Sequence, residues 1–428
     1  MKVFFRRIHL YLGLTAGLVI TISCLTGALL VFEKELTEAF NHHRYYVTAS
    51  GERLPLDKIA EMVKQQVPGT GISRIQVFAD PTRTLQVLLE EGKKGGKGAA
   101  KKGKGDANAA TKSKAGEEVI PATPGEKKDK AAGGEKSAPK KEKGRTAFVN
   151  PYTGKVLELY SYQETFYYQI FSLHRWLLAG PTGKAITGVS TLIFLFILIT
   201  GIVLWWPKTR NIFKQRIKVK WDGGWKRLNH DLHVVLGFYA AIFLFICAFT
   251  GLTWSYEWFS NGLYAVLRTS PKAMVAPLSA AAVVTEAKHI SYETALATVK
   301  QSVPDAVFYS LSAPKDSSAS FVVSLLPANE VMESATTTYY LDQFSGKVLQ
   351  SQTFAQRTLG QKVRASIKPL HTGAILGTPS KILALLVALL GVIFPTTGTI
   401  MWLNRTRKKK KKTKSPAISR EKVASPVA

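Results

Sequence analysis

Residues 9–33, HLYLGLTAGLVITISCLTGALLVFE, are repeated almost position for position by residues 230–257, HDLHVVLGFYAAIFLFICAFTGLTWSYE. With His233 laid on His9, Gly237 meets Gly13, Thr250 meets Thr26, Gly251 meets Gly27 and Glu257 meets Glu33. Each copy is an apolar run of about 20 residues, the length that crosses a ~30 Å hydrocarbon core as a helix. Two further runs, about 186–206 and 381–403, join those at about 10–32 and 234–256. In lipid the backbone must satisfy its own hydrogen bonds, so all four are read as transmembrane helices. The first is too long for a signal-peptide core and lacks an A-x-A-like cleavage site, so it is expected to be retained.

The second pair of helices also repeats. With His174 laid on His371, Gly180 meets Gly377, Lys184 meets Lys381, Thr200-Gly201 meets Thr397-Gly398 and Trp205 meets Trp402. The chain therefore reads as helix, external segment, helix, written twice. Each external segment carries one amphipathic helix (56–67 and 291–303, VKQQVP against VKQSVP) and a few short strands ending in AFVNPYTGKVLELY or TYYLDQFSGKVLQ. This predicts two small α+β modules. An insert at 92–144, rich in Lys, Gly and Ala with no aromatic residue, occurs in the first segment alone. It cannot bury enough apolar surface to offset chain entropy, so it is expected to be disordered and removable with little effect.

The net charge of +29 invites a nucleic-acid reading, but its distribution points elsewhere. Positive charge sits beside membrane ends: Lys2, Arg6 and Arg7, then 207–227, then 405–414. Short basic flanks mark the cytoplasmic side. Both termini are thus expected inside and both modules outside, with lipid rather than nucleic acid as the partner. The two cysteines, Cys24 and Cys247, fall within membrane segments and imply no disulfide framework. The expected division is a first membrane helix with its cytoplasmic N-terminus (1–36), an external module (37–165), a lead-in and second helix (166–207) and a basic cytoplasmic loop (208–228). A third helix (229–258), a second module (259–360), a lead-in and fourth helix (361–404) and a basic tail (405–428) follow.

The order of these parts, the stretches LHRWLLAGPTGK and DLHVVLGF, and the paired TGKVLE and SGKVLQ modules resemble the PepSY-associated transmembrane family. The likeness covers the chain apart from the insert and the tail. It implies an integral α-helical membrane protein of four transmembrane helices with two extracytoplasmic α+β PepSY-like modules, placed in a bacterial inner membrane. That family includes iron-regulated membrane proteins, some regarded as di-haem reductases of ferric siderophores. The resemblance thus implies an oxidoreductase of iron uptake with an external ferric complex as acceptor.

The histidines carry the chemistry that the residues themselves suggest. His9 and His233 begin the two outbound helices, and His174 and His371 precede the two inbound ones. A pseudo-two-fold axis along the membrane normal sets each pair face to face, and two facing imidazoles can ligate one haem iron. Two b-type haems, one at each membrane face, are the expected cofactors. His230 lies one turn before His233 and is an alternative ligand or a propionate partner. Gly13, Gly27, Gly201, Gly237, Gly251 and Gly398 are expected to give clearance for the flat macrocycles, with Arg175 outside and Arg6, Arg7 or Arg227 inside as propionate contacts. His42 and His43 are read as loop residues, and His289 receives no role. No dinucleotide fingerprint follows a strand, so electrons are expected from quinol or a cytoplasmic reductase partner. A transporter would place polar residues at mid-membrane, where these helices are apolar. The competing reading is a membrane-anchored binding, inhibitory or sensor protein whose modules act without redox chemistry.

Overall fold

The computed structural model describes residues 2–91, 144–271, 275–279 and 289–413. All of the insert expected at 92–144 except Gly144, and the tail beyond 413, lie outside the described residues. Helix α1 (Lys2–Leu30) leads to the short α2 (Glu33–Phe40) and α3 (His42–Tyr45). The segment after α3 then forms α4 (Leu56–Gln66), β1 (Thr70–Phe78), β2 (Leu85–Glu91), β3 (Arg145–Val149) and β4 (Val156–Tyr160). The chain returns through α5 (Phe166–Trp176) and α6 (Gly180–Trp205), and α7 (Arg210–Arg216) links to the long α8 (Trp225–Ser255). After α9 (Glu257–Val266) the plan recurs as α10 (Tyr292–Ser302), β5 (Ala306–Ser312), β6 (Phe321–Pro327), β7 (Thr337–Leu341), β8 (Val348–Gln352), α11 (Leu359–Thr372) and α12 (Thr378–Thr413). Four helices, α1, α6, α8 and α12, are long and apolar enough to cross a membrane among the described residues.

The strands form one antiparallel sheet of eight, in the order β4-β3-β2-β1-β5-β6-β7-β8. This departs from the expectation of two separate small sheets. The seam is β1 against β5, with Ile75 opposite Leu311 and Val77 opposite Tyr309. Each of these strands would otherwise present an unpaired edge of N–H and C=O groups, and pairing them satisfies both. Helices α4 and α10 bury their apolar faces on the sheet in a single core. Leu56, Ile59 and Val63 from one and Ala295, Leu296 and Val299 from the other pack with Ile75, Val87, Leu311, Val323 and Leu325.

The two helices also cap each other. Asp57 accepts hydrogen bonds from the backbone N–H groups of Tyr292 and Glu293 at 2.9 and 3.2 Å, while Glu293 accepts from the N–H of Leu56 at 2.9 Å and pairs with Arg53. Asp57 and Glu293 occupy matching positions, each six residues before the valine that opens VKQQVP or VKQSVP. Each carboxylate thus satisfies donors that the other helix leaves open, at the end where its dipole favours negative charge.

Lead-in helices α5 and α11 set up the entry to the bundle. Thr165 accepts from the Tyr168 N–H at the start of α5, and Thr358 forms a capping box with Gln361 at the start of α11. Helix α11 stops at Gly373 with φ of 76°, the left-handed conformation glycine adopts without cost. Helix α5 stops instead at Leu177 and Leu178, with φ of 50° and 57°. Two bulky residues in that region are strained, and the surroundings must hold them there. His174 and His371 sit in the final turns of these two helices.

Candidate functional site

In all four recurring Thr-Gly dipeptides the threonine is buried: Thr26 in α1, Thr200 in α6, Thr250 in α8 and Thr397 in α12. Each hydroxyl donates to the carbonyl one turn back, at Ile22, Phe196, Ile246 and Ile393. This is the usual way a helix absorbs a threonine hydroxyl. Its proton spent, the oxygen remains an acceptor. The partner in every case is a histidine Nδ1: His174 on Thr26 at 3.1 Å, His9 on Thr200 at 3.0 Å, His371 on Thr250 at 3.0 Å and His233 on Thr397 at 2.9 Å.

The tautomer follows from these bonds. His174 Nδ1 also reaches the Ser23 carbonyl at 2.9 Å, and His371 Nδ1 the Cys247 carbonyl at 3.0 Å. A carbonyl oxygen only accepts, so Nδ1 carries the proton. The same holds for His9 and His233, because their threonine partners have no proton left to give. Nε2 is therefore the lone-pair nitrogen in all four rings, and it forms no hydrogen bond among the described residues. A neutral imidazole with Nδ1 tied back and Nε2 free is the form that binds a metal.

Glycine completes the cradle. A Cβ at Gly27 would stand 3.2 Å from His174 Cε1, at Gly201 3.4 Å from His9 Cε1, at Gly251 3.4 Å from His371 Cε1, and at Gly398 3.2 Å from His233 Cε1. The atoms these four glycines accommodate are thus the edges of the imidazoles. Gly13 and Gly237, one turn along from His9 and His233, face open space: nothing lies within 4 Å of a Cβ at Gly13, and only Phe394 at 3.9 Å from one at Gly237.

Across the two halves of the chain the imidazoles meet in pairs. His9 and His233 have ring centres 6.2 Å apart, and His174 and His371 have theirs 6.1 Å apart. A metal–imidazole bond is about 2.0 Å and the nitrogen lies about 1.1 Å from its ring centre, so two imidazoles on opposite sides of one iron place their centres roughly 6.2 Å apart. Both pairs match that span, and all four histidines stay partly open rather than packed shut. The donor set fits a haem, whose porphyrin supplies four ligands and leaves two to the protein. No group of three or more His, Cys, Asp or Glu side chains that could hold a bare metal ion occurs among the described residues. Between the pairs lies an apolar layer of Ala240, Leu244 and Val387 with Phe194, Leu198, Leu390 and Phe394 around it.

A family model described as the PepSY-associated TM region matches residues 6–405. The chain belongs to this family. No curated protein matches it. With its four apolar helices it is a multi-pass membrane protein of the PepSY-associated type.

Within this PepSY-associated chain the other residues singled out from the sequence scatter. His230, the alternative ligand, does not join either pair: its side chain is half exposed and its Nδ1 meets Asp231 at 3.1 Å. Arg227 pairs with the same Asp231 at 2.9 Å, whereas Arg6 and Arg7 are exposed. Arg175 lies over the Trp176 ring. His42 stacks on Tyr46, His43 approaches Glu158 at 3.4 Å and His289 stacks on Phe344. Sequence reasoning aligned the four threonines but gave them no role, although their recurrence just before each glycine was the available signal. It also missed buried Asn229, which donates to the Thr397 carbonyl at 3.1 Å behind the His233 holder. Trp254 and Phe394, edge-on to His371 and His233, were not singled out either.

Proposed function

We propose that this protein is a di-haem membrane reductase, with His9 and His233 as axial ligands of one b-type haem and His174 and His371 as those of the other. A haem supplies reversible one-electron chemistry when bound. The chain's own residues supply position. Thr200, Thr397, Thr26 and Thr250 hold each ring in the Nε2-presenting tautomer, Gly13 and Gly237 leave space beside one pair, and the apolar layer around Leu244 keeps water from the region between the pairs. His9 and Gly27 are 18 residues apart on one continuous helix, about 27 Å at ~1.5 Å per residue, so the two pairs stand near opposite faces of a bilayer.

The reading extends to an internal duplication with basic loops and termini in the cytoplasm and the eight-stranded sheet outside an inner membrane, on the grounds of charge placement. The resemblance then makes an external ferric siderophore the acceptor and quinol or a cytoplasmic reductase the donor. Arg175 outside and Arg6, Arg7 or Arg227 inside are the propionate contacts of this proposal. The observation that carries the reading is the fourfold threonine-held imidazole, met in pairs at the span of one iron. The test is a reduced-minus-oxidised spectrum and a pyridine haemochrome assay on purified protein. Two b-type haems per chain are expected. Haem-free protein in haem-replete cells would leave the external sheet, as a binding or sensing element, as the functional part.

A further inference from the structure

The segment between α6 and α8 carries a second feature that the haem reading does not use. It contains Lys208, Arg210, Lys214, Arg216, Lys218 and Lys220 against a single acid, Asp222. It does not stand away from the bundle. Trp205 is buried, stacks on Phe238 at 3.7 Å, and donates from Nε1 to the Arg216 carbonyl. Arg216 returns to the carbonyls of Leu204 and Trp205, and the Tyr239 hydroxyl donates to the Ile217 carbonyl at 3.1 Å. Tyr239 lies well inside the apolar run of α8, fourteen residues past its start at Trp225. The segment is thus pinned along the flank of a spanning helix.

Its outer side combines aromatic rings and cations. Trp206, Phe213, Trp221 and Trp225 are 66%, 43%, 73% and 63% exposed. Lys208, Arg210, Lys214 and Lys218 are exposed beside them and enter no ion pair among the described residues. Indole rings favour the headgroup level of a bilayer, where one end is apolar and the other wet. Exposed cations at that level attract anionic lipid. We infer that residues 206–225 form an interfacial binding surface for the phosphate-bearing headgroups of anionic phospholipids. Arg216 and Trp205 shape the segment internally, and the four exposed cations contact lipid.

The test uses the full chain reconstituted in vesicles of phosphatidylcholine with a minor fraction of brominated lipid, reading quenching of tryptophan fluorescence. Brominated phosphatidylglycerol is expected to quench more than brominated phosphatidylcholine at equal fraction, and high salt is expected to remove the difference. Inorganic phosphate at matched ionic strength should displace nothing beyond the salt effect; displacement would assign the surface to free phosphate and overturn the lipid assignment. Each cation contributes roughly fivefold in affinity for an anionic surface, so Lys208→Gln, Arg210→Gln, Lys214→Gln and Lys218→Gln together should abolish the preference. Equal quenching by the two lipids in the unaltered protein overturns the inference, as does an unchanged preference in the quadruple variant. The wild-type comparison stands alone if that variant fails to reconstitute. Any bound haem quenches tryptophan equally in both vesicle compositions and cancels from the comparison, so failure here is distinct from failure of the reductase reading.

Discussion

A histidine in a membrane helix has two nitrogens and a ring that rotates, and both freedoms must be removed before it can serve as a ligand. Here one threonine removes both. In His233 the Nδ1 proton is held on Thr397 at 2.9 Å while Gly398 admits the ring edge. Thr397→Val keeps the shape of the side chain and deletes the acceptor. On the di-haem proposal, haem affinity at the His9–His233 pair is expected to fall about 10- to 100-fold, the usual cost of losing a partner that orients a metal-bound histidine. Haem titration of purified protein reads it, with Thr397→Ser restoring binding; an unchanged titration in the valine variant would remove the threonine from the site. On the di-haem proposal, His371→Ala should lower haem content from two per chain to one and leave the spectrum of the other centre intact. Loss of both haems, or of neither, would mean that the pairing is misassigned.

At the scale of elements, α4 and α10 are each short, and neither carries its own side-chain cap for the donors that the other's carboxylate satisfies. Helix α10 does have Ser291 on the Thr294 N–H, but Asp57 takes the N–H groups of Tyr292 and Glu293. Removing an N-terminal cap typically costs about 1 kcal/mol. Asp57→Ala and Glu293→Ala should each destabilise the sheet by roughly that amount, measured by chemical denaturation in detergent. A variant that loses nothing would show that water replaces the carboxylate without penalty. The strained pair Leu177 and Leu178 is a second element-scale feature, since it ends α5 one turn after His174 and so sets where that imidazole enters the bundle.

At the scale of the molecule, α2 is the joint between bundle and sheet. Lys34 pairs with Glu333, Glu35 with Lys381 and Glu38 with Arg83, so one short helix reaches both halves of the chain. At its start, burial pushes the Glu33 carboxyl above its ordinary range, against the opposing pull of a Tyr162 hydrogen bond and the Lys368 charge. A raised carboxyl favours the neutral form when folded. Its contribution is therefore present at low pH and lost as pH rises from the unfolded value through the raised folded one. Glu33→Gln should flatten that part of the stability profile and leave the variant the more stable form at neutral pH, as thermal unfolding at several pH values will read. A profile that is unchanged would mean that Glu33 titrates normally. Much of this architecture was legible in the chain itself. Apolar run length set the four spanning helices, period-two and period-3.6 patterns set the strands and the amphipathic helices, and alignment of His9 with His233 and of His174 with His371 named the residues that meet. Those signals are local or repeat themselves, and a single sequence displays both. What the sequence could not display was contact between segments with no shared pattern: the β1–β5 seam, the crossed caps of Asp57 and Glu293, the hydroxyls behind the imidazoles, and His230 turned to Asp231 instead of to either pair. Such contacts depend on where side chains of distant segments end up within a few ångströms of each other, and only the packed tertiary structure decides that.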